Sequence, residues 1–242
     1  MKYENEIVQG DCLDVIQELE DNSVGAIITD QPYNIANDFE LLKEGTVDWS
    51  HDFGDWDKGE IFPQDWLPEA TRVLKDNAVV IVMYDNIEIG LLVQAMREAD
   101  LNVRQKMYWH KQNPHPQIHK IRLQDAIEEM VVGTMNEGEG HPFDGDAPQR
   151  HNVVETPICQ GTERLEHPTQ KPEALFRPII EYWTQDDTLI FDPFTGSGTI
   201  PVVAKKLGRP YIGVEKDEEY HAIAEKRVEQ TGIEAGDNVL DF

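Results

Sequence analysis

The sequence predicts an α/β protein built on a doubly wound, mostly parallel sheet. Three observations carry this. Strand-like and helix-like segments alternate along the chain, the pattern of a parallel sheet with helices on both faces. AVVIVMY (78–84) is an unbroken apolar run, as expected of a strand covered on both sides. Two strand-like segments run straight into polar turns, TDQPYNI (29–35) and FDPFTGSGTI (191–200), and ligands of such sheets bind beyond the carboxyl ends of the strands.

Taken in order, EIVQG (6–10) and VGAIIT (24–29) read as short strands around a helix over CLDVIQELE (12–20), where Leu13, Ile16 and Leu19 fall at helical spacing. Residues 37–66 are rich in Asp, Trp and Gly with weak periodicity and predict a lid loop. A helix near WLPEATRVLK (66–75) leads into AVVIVMY, and a second over IEIGLLVQAMREA (87–99) leads to a basic stretch. AIEEMVVG (126–133) predicts a strand, and the Gly, Pro and polar content from Gly133 to Gly161 predicts a long loop. The last third reads as helix PEALFRPIIEYW, strand TLIFD, a glycine turn, helix TIPVVAKKLG, strand PYIGVE and helix DEEYHAIAEKRVEQ. The whole, residues 1–242, is expected to form one domain with a loop-rich insertion at about 104–165.

At 242 residues with 39% apolar side chains, the chain can bury a sizeable core. No apolar run approaches the roughly 18 residues of a membrane span, and the charged start MKYENEIVQGD lacks an apolar signal core, so a cytoplasmic protein without a membrane partner is expected. Cys12 and Cys159 are far apart with no CxxC spacing and read as small buried apolar residues. His115 and His119 have a helical spacing but a proline between them and no partners nearby, so no metal site is expected.

The net charge of −26 would by itself repel nucleic acid. It also suits a solvated surface in concentrated salt, where the Debye length shrinks to roughly 3 Å at 1 M, and a halophilic source is expected. Residues 101–124 reverse the sign. They contain no acid, yet carry Arg104, Lys106, Lys111, Lys120 and Arg122 interleaved with Tyr108 and Trp109. Cations with aromatic rings are what a phosphate backbone and unstacked bases require. Arg104, Lys106, Trp109, Lys111, Lys120 and Arg122 are therefore candidate DNA contacts; a strand and loop that merely escaped acidification is the plainer alternative.

In FDPFTGSGTI, Gly196 and Gly198 stand between a strand and a helix, and Glu215 ends the next strand about 20 residues on, where an acid can hydrogen-bond ribose hydroxyls. Pro201 occupies the third glycine position of the dinucleotide fingerprint, and no Gly-Lys-Ser/Thr follows, so neither a dinucleotide nor a phosphate loop is indicated. An adenosyl ligand without phosphates fits better, and S-adenosylmethionine is the common case.

TDQPYNI, then HPTQKP (167–172), then DPFTGSGT and GVE, together with GDCLDVI and WHKQNP, resemble the beta group of DNA amino-methyltransferases over nearly the whole chain. The resemblance implies a fold of the S-adenosylmethionine-dependent methyltransferase type, double-stranded DNA as substrate, and target recognition by the 104–165 insertion. Carried over by motif, Asp192, Pro193, Phe194, Gly196, Ser197 and Gly198 would line the cofactor, Glu215 would hold its ribose, Asp11 would meet its adenine, and Thr169 and Lys171 would approach its methionine end. A cognate restriction endonuclease and a monomer or homodimer also follow from the resemblance.

The same likeness makes Asp30, Gln31, Pro32 and Tyr33 the catalytic tetrapeptide. An exocyclic base amine is a poor nucleophile because its lone pair is delocalised into the ring. Asp30 and the carbonyl of residue 31 can accept its hydrogen bonds, Pro32 stiffens the turn, and Tyr33 offers a flat face to a flipped base. Gln31 departs from the family pattern, which has proline there; the carbonyl stays but an amide side chain is added. An acid at position 30 leans toward adenine N6 within the family. Cytosine N4, or a weakened relative that only binds cofactor and DNA, are the alternatives.

Overall fold

The computed structural model describes residues 1–34, 61–116, 123–135, 151–165, 167 and 169–234. Eight strands, β1 (Glu6–Gln9), β2 (Val24–Asp30), β3 (Leu74–Tyr84), β4 (Asn102–Lys111), β5 (Ile127–Thr134), β6 (Val153–Thr156), β7 (Ile190–Asp192) and β8 (Tyr211–Glu215), form a single sheet in the order β1-β8-β7-β2-β3-β5-β4-β6. Only β5, antiparallel to both β3 and β4, runs against the rest among the described residues. Among the described residues the α-helices are α1 (Cys12–Glu18), α2 (Pro63–Val73), α3 (Ile89–Glu98), α4 (Glu173–Trp183), α5 (Thr199–Lys206) and α6 (Glu218–Gln230).

The period-two alternation of the strands explains the three layers. Ile27, Val80, Val82, Phe191 and Ile212 face one way and pack under α1, α2 and α3. Ala26, Ile28, Val79, Ile81 and Ile190 face the other way and pack under α4, α5 and α6. Both sides of the central strands are thus apolar, which is why their sequences read as continuous runs. Full burial of side chains such as Trp66, Phe176 and Phe191 contributes about 1.5–3 kcal/mol each. Asp11 caps α1 by accepting from the Leu13 N–H at 3.0 Å, and Asp217 caps α6 by accepting from Glu219 and Tyr220, each satisfying N–H groups that a helix start leaves free.

Beyond β2 the chain winds outward through β3, whereas from the adjacent β7 it winds the other way to β8. The β2/β7 boundary is therefore the topological switch point, where ligands of open α/β sheets bind.

Three boundaries differ from the sequence expectation. The expected lid, 37–66, lies outside the described residues up to position 60, and α2 already begins at Pro63, a residue whose fixed φ suits a first helical turn. β3 starts at Leu74, so the polar KDN is strand rather than a break. Within the expected 133–161 loop, Gly133 and Thr134 belong to β5, and residues 153–156 form the edge strand β6 beside β4.

Candidate active site

Asp30 is the last residue of β2, and its carboxylate is held on both oxygens. Lys171 Nζ donates to Oδ2 at 2.6 Å, and the Tyr33 hydroxyl donates to Oδ1 at 3.0 Å. The same Lys171 ammonium lies 3.2 Å from Glu128 Oε2, and Tyr33 Oη is also 3.2 Å from that oxygen. The other oxygen of Glu128 is 2.7 Å from Lys111 Nζ. Two carboxylates and two ammonium groups thus balance in one cluster. Burial is the largest influence on Asp30 and raises its pKa against the pull of Lys171. Burial alone would lower Lys171, but Asp30 and Glu128 outweigh it and raise it. Glu128 is lowered because Lys171 and Lys111 more than offset its burial. Burial, then the two acids, push the Tyr33 phenol well above its usual range, so it keeps its hydrogen. The Tyr33 ring stands edge-on to Tyr84, with centroids 6.0 Å apart.

Gln31 turns inward, 1% exposed. Its Oε1 accepts from Trp66 Nε1 at 3.1 Å, and since an indole N–H can only donate, the amide orientation is fixed. The Gln31 Nε2 is buried without a hydrogen-bond partner among the described residues. Trp66 in turn meets the Phe194 ring edge-on at 5.5 Å, so the tetrapeptide is joined to the glycine turn through one indole.

The turn itself follows β7. Asp192 is 2% exposed and accepts from Thr29 Oγ1 at 2.7 Å; burial, the dominant influence, pushes its pKa up to about 7. Pro193 is buried and Phe194 half-buried. Gly196 donates its N–H to Glu215 Oε2 at 2.8 Å, and Asp217 N–H fills Oε1 at 2.8 Å. Burial raises Glu215 despite these bonds. The two glycines do more than admit a ligand. Gly196 has φ +53° and a Cβ there would meet His167 Nε2 at 3.1 Å; Gly198 has φ +86° and a Cβ would meet the Ala224 backbone of α6 at 3.0 Å. Ser197 is buried, and its carbonyl accepts from Arg227 at 2.7 Å. Asp11, one strand over at the end of β1, accepts from Lys216 Nζ at 2.9 Å, which lowers its pKa although burial pushes the other way. Lys171 lies beside Asp30, and Thr169 is half-buried two residues before it.

The basic stretch sits differently from its reading as a free cationic patch. β4 pairs with β5 and β6, and these bring acids onto it: Glu129 lies 2.6 Å from Lys106, Glu128 lies 2.7 Å from Lys111, and Glu155 lies 2.7 Å from His110. Trp109, expected at the DNA surface, is 2% exposed with its indole donating to Thr156 Oγ1 at 2.7 Å, so it packs in the core instead. Arg104 is exposed and donates to Thr134 Oγ1 at 2.8 Å. Lys120, Arg122 and His119 lie outside the described residues.

Glu128, Trp66 and Arg227 escaped the sequence reading, and His167 entered it only as the first residue of the HPTQKP motif. Of the first three, only Glu128 left a trace, as an acid at the opening of an apolar strand. Because β5 is antiparallel, that opening falls at the same sheet edge as the end of β3.

An eight-stranded sheet with acids and a glycine turn at its switch point is the architecture of methyltransferases. The chain superposes on the M1.HpyAVI–SAM complex with a TM-score of 0.72 at 25% identity, covering 92% of this chain and 98% of that one. It also shares its fold with the cytosine-N4-specific PvuII DNA methyltransferase, with a TM-score of 0.70 at 18% identity over 97% and 87% of the two chains. Among curated relatives, the type II methyltransferase M2.MboI of Moraxella bovis is 30% identical over 91% of this chain and 86% of its own length. The type II methyltransferase M.HinfI of Haemophilus influenzae is 29% identical over 93% and 68%. Residues 24–226 match the profile of the N6/N4 DNA methylase family, and the chain belongs to that family.

Proposed function

We propose that this DNA methyltransferase moves a methyl group from S-adenosylmethionine to the exocyclic N6 of adenine in a specific DNA sequence, with the base flipped out of the duplex. The observation that carries the reading is the half-buried Asp30 carboxylate at the switch point, one strand from the glycine turn. The residues of that turn fit the cofactor: Glu215 and Asp11 put carboxylates beside it, which repels polyphosphate and suits ribose hydroxyls and a cation. Asp192, Pro193, Phe194, Gly196, Ser197, Gly198 and Glu215, with Asp11, Thr169 and Lys171, would hold it. When bound, S-adenosylmethionine supplies an electrophilic methyl group on a sulfonium.

The chain's own residues supply the rest. Asp30 accepts a hydrogen bond from the amine and so returns electron density to the nitrogen, with the residue 31 carbonyl as second acceptor. As N–CH3 forms, the amine loses a proton, and burial makes Asp30 a better acceptor for it than an ordinary carboxylate. Tyr33 orients the base, and alignment at about 3–3.5 Å supplies much of the rate. The acid at position 30 supports adenine over cytosine N4 by family likeness. Of the basic stretch, Arg104, Lys120 and Arg122 are the proposed phosphate contacts, while Lys106 and Lys111 are held by Glu129 and Glu128. The type II names of the two curated relatives support a restriction–modification setting with a cognate endonuclease, in the cytoplasm.

Labelled methyl transfer to DNA followed by nucleoside analysis tests the base: N6-methyl-2′-deoxyadenosine is expected, and N4-methyl-2′-deoxycytidine would overturn the assignment. Asp30→Ala should abolish turnover while cofactor binding, read by calorimetry, stays measurable. Unaltered turnover would remove Asp30 from its role.

A further inference from the structure

The Lys171 ammonium sits where the proposed reaction needs an opening. It occupies Asp30 Oδ2 at 2.6 Å, while Tyr33 occupies Oδ1. A target amine therefore meets an acceptor that already takes one donor on each oxygen; each oxygen can accept a second, but the ammonium draws off the charge that the amine must use. An ammonium this buried, 8% exposed, does not leave one carboxylate for nothing, because an unpaired charge in the interior costs several kcal/mol. It has an alternative seat. Glu128 Oε2 is 3.2 Å from the same Nζ, and Tyr33 Oη contacts that oxygen as well. Both groups now bound to Asp30 can therefore lean onto one neighbouring carboxylate without losing a partner.

We propose that Glu128 is a positioning residue for methyl transfer: it takes up the Lys171 ammonium and the Tyr33 hydroxyl as the target amine engages Asp30. Lys111, 2.7 Å from the other oxygen, keeps Glu128 ionised and fixed in place for that exchange. The role rests on Asp30 being the amine acceptor.

Glu128→Gln keeps the shape but removes the charge, so Lys171 stays on Asp30. The expected result is a fall in kcat of about ten-fold or more with cofactor affinity unchanged, a split that general loosening of the site would not give. In a Lys171→Met background Glu128 has no ammonium to take up and only sets a second negative charge beside Asp30, so adding Glu128→Gln there should raise kcat above that of Lys171→Met alone. An unchanged kcat in Glu128→Gln overturns the proposal. So does a double variant no faster than Lys171→Met, and this second comparison decides the matter even if Glu128→Gln alone fails to fold. Asp30→Asn separates the two levels: if it retains turnover the underlying reading fails, whereas an inactive Asp30→Asn with a fully active Glu128→Gln sinks only the role of Glu128.

Discussion

At the scale of single residues, the buried acids set the pH response. Asp192 holds its proton up to about 7 in the folded chain, against 3.8 for an ordinary aspartate. Between those values the folded state carries a proton that the unfolded state has lost. Stability from this residue is therefore full below about 4, declines as pH rises toward about 7, and is flat above. The window corresponds to on the order of 4 kcal/mol. Asp192→Asn keeps an acceptor for Thr29 and should flatten the decline; urea unfolding across the pH range reads it, and an unchanged slope would show that other carboxylates cause it. Gln31 belongs to this scale too. The sequence raised the question of what an amide does in place of proline, and part of the answer is that it braces Trp66 and, through it, Phe194.

At the scale of elements, the glycine turn is a joint between β7 and two other pieces of the chain. Gly198 lies against Ala224 of α6 with φ +86°, so Gly198→Ala adds left-handed strain and a backbone clash. A loss of about 1–3 kcal/mol is expected, which lowers Tm by several degrees in a chain of this size; a variant melting within about 1 °C of the parent would show that α6 can yield. The turn was legible because glycines, an acid and a helix start lie within ten residues of one another. The rest of the site was not. Glu128 becomes a partner of Lys171 only through strand pairing, and the signal in its own segment, two acids before an apolar run, is shared by many surface strands. The acid-free stretch misled for the same reason: its counter-charges, Glu128, Glu129 and Glu155, come from β5 and β6, which sequence distance hides. Trp109 misled because an aromatic ring among lysines looks the same in a sequence whether its strand faces solvent or the core.

At the scale of the whole molecule, the charge of −26 and the task of binding DNA pull in opposite directions. Lys106 and Lys111 are already paired with Glu129 and Glu128, so the slope of log affinity against log salt should be shallower than the roughly −4.5 of five phosphate contacts at about −0.9 each. A slope near −4.5 would mean that both ion pairs open on DNA. A halophilic surface also predicts a Tm that rises along a KCl series; greatest stability in dilute buffer would end that reading. These global properties meet the chemistry at one place. β4 ends at Lys111 and β5 begins at Ile127, and the Lys111–Glu128 pair fastens the two ends together. That clasp is itself part of the charge balance around Asp30. An exchange of residues 112–126 for a relative's must therefore be cut inside that clasp, because a graft that carries away Lys111 or Glu128 would unbalance the charges around Asp30.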